Sequence, residues 1–172
     1  IDSCTVILPA GTQIYVHGGI VRNEQAVYND GLIIFLKDGH LDARGTPEHP
    51  VVFQGDRLES AYKDVKSQWS GLLFWQESRQ NKIVSTIIKN AITGIRTDSL
   101  TQLSMKGCKV FNTGGPGMIA RYSEINAENC LFYGSATYGL QLIYGGQYTF
   151  NYCTVGSYEG QNEAVILTDY YT

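Results

Sequence analysis

Three stretches of this chain, residues 103–110, 125–132 and 148–155, carry one pattern. Each opens on an alternating apolar run, bends, and resumes at a cysteine with an apolar residue two places on. The pairs are Cys108 and Val110, Cys130 and Phe132, and Cys153 and Val155. The cysteines are 22 and then 23 residues apart. A weaker fourth copy lies 22 residues upstream of Cys108, with Thr86 in the cysteine's place and Ile88 in that of Val110. A repeat of roughly 20–25 residues marks a solenoid, in which each unit stacks on its neighbours.

Within one copy the apolar residues alternate, which is the period of a strand. Ile125 and Ala127 point one way, a bend at Glu128 and Asn129 resets the phase, and Cys130 and Phe132 then point the same way. A third alternating run supplies further inward pairs: Ile95 and Thr97, Met118 and Ala120, Val165 and Leu167. One repeat is therefore three short strands and three bends, with no helical stripe. Such a unit cannot bury its apolar face alone. Stacked about 4.8 Å apart on copies of itself, it closes a core, which predicts an all-β right-handed parallel β-helix. The fourth position after the cysteine reads Asn90, Asn112, Gly134 and Ser157, residue types that suit a repeated tight bend. Asn stacked on Asn can also form an amide ladder.

The 172 residues allow one domain, 1–172, of at most seven or eight coils, fewer once insertions are removed. A net charge of −3 argues against a nucleic-acid partner. No run approaches the ~18 apolar residues that span a bilayer. Three of the four cysteines share one inward site, which predicts a stacked row of reduced thiols. Their spacing is not that of paired zinc ligands. Cys4 is expected to be a further core residue. The strand at 164–171 is apolar and lacks a cap, so more coils or a partner are expected beyond it.

The N-terminal half is less regular. Leu41 and Ala43 should point inward, and Asp38, His40, Asp42 and Arg44 outward. The run Gly39, Leu41, Ala43, Gly45, Thr46, Pro50, Val51, Phe53 resembles the opening coils of right-handed parallel β-helix proteins. Further segments narrow the likeness: 53–59, 68–71, 127–130, Gly145-Gly146 and the closing Asp169-Tyr170-Tyr171. Together they resemble uncharacterised β-helix lipoproteins on the surface of Gram-negative bacteria. The resemblance implies a segment of a longer, lipidated chain on the outer membrane, or a secreted one. It implies no established activity, and a membrane link only through an anchor outside this segment.

A polysaccharide hydrolase needs two carboxylates flanking the sugar bond, and a lyase needs a base beside calcium-holding carboxylates. The outward rows Arg96, Ile119, Gln141 and Asp98, Arg121, Ile143 show neither, only an expected ion pair between Asp98 and Arg121. His40 and Asp42 read as a solvated face rather than a metal site, and His17 and His49 stand apart. No catalytic residue, metal site or cofactor is expected. The clearest break from the repeat is the insertion at 55–69. Asp56 and Arg57 could hydrogen-bond a ligand while Tyr62, Trp69 or Trp75 offers an aromatic face. Alternatively, Leu58 and Tyr62 fold the insertion down over an edge, with Trp69 as anchor. Tyrosines after residue 130, among them Tyr152, Tyr158 and Tyr170, fall near bends. The expected function is a non-catalytic surface solenoid presenting loops to a glycan or an outer-membrane protein. The alternatives are a polysaccharide lyase or hydrolase with its site on coils outside this segment, and a structural subunit of an outer-membrane assembly.

Overall fold

The computed structural model describes residues 1–18, 20–23, 26–28, 31–157 and 162–169. The chain winds through three strand segments per coil. The first coil is β1 (Thr5–Pro9), β2 (Gln13–Val16), an inserted antiparallel hairpin of β3 (Ile20–Asn23) and β4 (Ala26–Tyr28), then β5 (Leu32–Phe35). The second is β6 (His40–Arg44), β7 (Val51–Gly55) and β8 (Gly71–Phe74). The third is β9 (Asn81–Val84), β10 (Thr86–Lys89) and β11 (Ile95–Thr97). Next come β12 (Gln102–Lys106), β13 (Lys109–Phe111) and the bent β14 (Met118–Glu128), which supplies two faces. β15 (Leu131–Tyr133), the bent β16 (Leu140–Asn151), β17 (Thr154–Val155) and β18 (Val165–Thr168) complete the stack.

All pairings other than the hairpin are parallel, and the chain forms the expected right-handed parallel β-helix. The first face stacks β1, β6, β9, β12 and the later halves of β14 and β16. The second stacks β2, β7, β10, β13, β15 and β17. The third stacks β5, β8, β11, the early halves of β14 and β16, and β18. The register follows the sequence repeat: Leu103 lies beside Ile125 and Ile125 beside Tyr148, while Ile88, Val110, Phe132 and Val155 follow one another.

Inward side chains of the three faces fill one continuous core. Large residues sit against small ones. On the third face Thr97 and Ala120 separate Phe74 from Leu142, while Phe35 stacks on Phe74 with ring centroids 5.2 Å apart. Val165 and Leu167 lie in register with Leu140 and Leu142 as expected, but are exposed, with no rung above them among the described residues. Cys4 differs from expectation. It is exposed, because it precedes β1 in the first rung, directly after a turn at Ser3 with φ of 52°, so the strand's alternation does not reach it.

The bend between the first and second faces explains the cysteine row. Ser85, Gly107, Asn129 and Tyr152 turn the chain in the left-handed region, with φ of 42, 62, 53 and 54°. The next residue points inward and bonds the carbonyl two places before it. The Thr86 hydroxyl donates to Val84 O at 3.0 Å, and Cys108, Cys130 and Cys153 donate to Lys106, Glu128 and Asn151 O at 3.5, 3.3 and 3.4 Å. The site therefore selects a small side chain with a donor, which is why threonine substitutes for cysteine there. All four cysteines are free. The hydrogen bond it shares with Cys108, and then burial, push the Cys130 thiol far above its ordinary range; burial pushes Cys153 up as well.

The third face begins at a row of glycines for a steric reason. A Cβ on Gly117 would lie 2.7 Å from Gly139 O, and one on Gly94 would lie 2.4 Å from Val110 Cγ1. Gly117→Ala should destabilise the fold by about 1–3 kcal/mol through overpacking, read from urea unfolding. An unchanged midpoint would contradict the close approach.

The thiol row makes a second prediction. In the native chain Cys4 should alkylate promptly, and Cys108 and Cys130 only after denaturant is added. Rapid native alkylation at Cys130 would refute the burial.

Candidate functional site

The corner between the second and third faces is tight in the later coils, where Asn90, Asn112 and Gly134 turn it with φ of 63, 55 and 63°. Ser157, expected in the same row, instead donates its hydroxyl to Asn162 O at 2.8 Å. In the first two coils this corner carries the insertions: the hairpin after β2, and residues 56–68 after β7. Val16 pairs with Gly55, so the residues that open the two insertions, His17 and Asp56, are neighbours. Nδ1 of His17 lies 2.6 Å from Oδ2 of Asp56, and both side chains reach solvent, at 67% and 36% exposure.

The second insertion is docked on the solenoid by amides. Asn90 Nδ2 donates to Lys63 O and Asn112 Nδ2 to Asp64 O, each at 2.7 Å. Asn112 Nδ2 also donates to Asn90 Oδ1 at 2.8 Å, which is the expected ladder. Gln68 Nε2 donates to Tyr62 O and Val65 O at 2.6 and 2.9 Å. Residues 56–65 are exposed. Over that platform the Arg57 guanidinium sits 4.0 Å from the Tyr62 ring centroid, and its Nε bonds Glu59 Oε1 at 3.0 Å. The Glu59 carboxyl is held below its usual range, first by its own backbone N–H and then by Arg57, and Glu59 in turn raises Arg57.

Of the residues the sequence singled out, Asp56, Arg57 and Tyr62 share this corner. Trp69 does not join them. It is fully buried, bridges to Ala91 and donates its indole N–H to Lys89 O at 2.9 Å, so no ring face meets solvent. Trp75 is 44% exposed but follows β8, whose four residues carry it about 13 Å along the third face to the next corner. Leu58 and Tyr62, proposed as an apolar cover, are 53% and 45% exposed. The insertion is held by polar amides instead. Only the register of β2 on β7 reveals His17 as a member of the site, because 39 residues separate it from Asp56.

Two further expectations resolve differently. Asp98 and Arg121 directly follow the paired Thr97 and Ala120, yet form no ion pair; Asp98 Oδ1 accepts the Ser99 N–H at 2.8 Å instead. Asp42 is engaged by Arg44, whose Nε lies 2.8 Å from its Oδ2 and depresses its carboxyl. Among the described residues no group of three or more His, Cys, Asp or Glu side chains could hold a metal. Tyr158, Tyr170 and Tyr171 lie outside the described residues.

A family model described as "right handed beta helix region" matches residues 1–157. No curated protein and no solved structure matches the chain. The two tryptophans separate anchoring from exposure. Trp69→Ala should cost about 3–5 kcal/mol of stability, whereas Trp75→Ala should stay within about 0.5 kcal/mol. Equal losses in thermal melts of the two variants would contradict the placement of Trp69.

Proposed function

The chain belongs to the right-handed β-helix family, and on that premise we propose that it is a non-catalytic surface solenoid presenting its insertion corner to a glycan or an envelope partner protein. The observation that carries this reading is the assembly of His17, Asp56, Arg57 and Tyr62 from two coils into one exposed group. A docked loop on a stacked sheet holds such a group with little ordering cost on binding. Arg57 over the Tyr62 ring offers a joint cationic and aromatic surface, suited to a sugar ring or to a partner's carboxylates. The carboxylates of the solenoid favour binding over hydrolysis. Glu59, Glu77, Asp42 and Glu128 are engaged by Arg57, Lys37, Arg44 and Lys106, which makes each of them a poor candidate for the free acid or base of a hydrolase. The proposed setting is the outer-membrane surface or the extracellular medium. No helix among the described residues is long and apolar enough to cross a membrane.

The double variant Arg57→Ala/Tyr62→Ala tests the reading on a glycan array and on purified outer-membrane vesicles. The parent chain should bind one of the two. The variant should lose about tenfold or more in affinity with its melting temperature retained. Equal binding by both chains, binding by neither, or release of new reducing ends from the glycans would overturn the proposal.

A further inference from the structure

The corner between the first and second faces carries a depression of about 670 Å³, within the range of small-molecule sites. We propose that it binds a small carboxylic acid with an elongated apolar body, of the class of medium-chain fatty acids. The inference does not depend on the insertion corner, which lies on the far side of the second face.

Two departures from the repeat create the depression. In the later coils this corner turns on one small left-handed residue, Ser85, Gly107 or Asn129. In the second coil the same corner is the longer loop 45–50. That loop is closed on itself, Thr46 N–H donating to His49 O at 3.1 Å and His49 N–H to Thr46 Oγ1 at 3.0 Å. It is also tied to the first coil, where Gly11 N–H donates to His49 O at 2.9 Å. At the opposite end the corner residue is Tyr152, which is 89% exposed with φ of 54°. A tyrosine there suits neither the bend nor the core. Pro47 and Pro50 line one end of the depression and Tyr152 the other, four rungs away, or about 19 Å. Val84 of the first face and Ile87 and Leu131 of the second line its sides, so the trough is long, narrow and largely apolar.

Charge selects the occupant. In a chain of net charge −3, the depression is lined by Lys106 and Lys109 and by no Asp or Glu. Lys106 Nζ is paired with Glu128 Oε1 at 3.0 Å, whereas Lys109 has no partner among the described residues. Lys109 lies in register between Ile87 and Leu131, so its ammonium rises from an apolar strip. A carboxylate on Lys109 leaves its apolar chain lying along that strip. The backbone argues against a peptide. The corner N–H groups of Ser85, Gly107 and Asn129 are spent on Lys106, Glu128 and Asn151 O at 2.8, 2.9 and 2.9 Å. An extended peptide, which binds through main-chain hydrogen bonds, gains none from these donors.

Isothermal titration calorimetry of the full chain tests the assignment. The probe is dodecanoate below its micelle concentration, with acetate and dodecyltrimethylammonium as comparisons for head and chain. The parent should bind dodecanoate about tenfold or more tightly than either. Lys109→Glu should reverse the preference between dodecanoate and dodecyltrimethylammonium. Tyr152→Gly suits the backbone, so it should keep the melting temperature or raise it, yet weaken dodecanoate binding by about tenfold. Arg57→Ala/Tyr62→Ala should leave binding unchanged. The proposal is overturned by an absence of saturable dodecanoate binding, or by equal binding of dodecyltrimethylammonium to the parent. Affinity undiminished in both Lys109→Glu and Tyr152→Gly would place the acid on another apolar surface and overturn it too. Its loss in Arg57→Ala/Tyr62→Ala would place the acid at the insertion corner, with the same consequence.

Discussion

Parallel register is the constraint on which everything else rests. Each strand must bond a rung below and a rung above, so each corner must reverse the chain within one or two residues without breaking the stack. The corner after the first face does this with a left-handed residue followed by an inward donor. The left-handed residue leaves a carbonyl facing the core, and an inward hydroxyl or thiol bonds it. Small size keeps the row stackable, and the carbonyl, which already accepts a backbone N–H from the neighbouring coil, offers its second lone pair so that the buried hydroxyl or thiol is itself satisfied. Cysteine and threonine meet both demands, so a row that resembles a disulfide framework is a row of backbone partners.

The corner after the second face meets the same constraint differently. Asn90 and Asn112 turn the backbone, bond one another, and still have amide protons for the insertion. One residue type thereby closes the coil and seats the loop. That seat carries the exposed Arg57 and Tyr62, and the neighbouring rung supplies His17 beside Asp56. A position that varies in length from coil to coil is where a solenoid can gain a site without disturbing its core.

The sequence by itself determined the coil period, the inward rows and the asparagine ladder, because those depend on alternation within a strand and on bends of constant length. Leu103, Ile125 and Tyr148 could be aligned by eye and stack as aligned. The outward row of Ser104, Asn126 and Thr149 follows from the same alignment, since inward rows imply outward ones. Tertiary structure alone decided where the alternation no longer applies. Trp69 sits at the end of an insertion, where nothing local says whether its ring faces core or solvent, and the space beside Ala91 takes it in. Asp98 lies one rung from Arg121, but its carboxylate turns to the N–H of Ser99. His17 and Asp56 meet because β2 and β7 pair with Val16 beside Gly55, and insertions of unequal length hide that register until the coils are stacked.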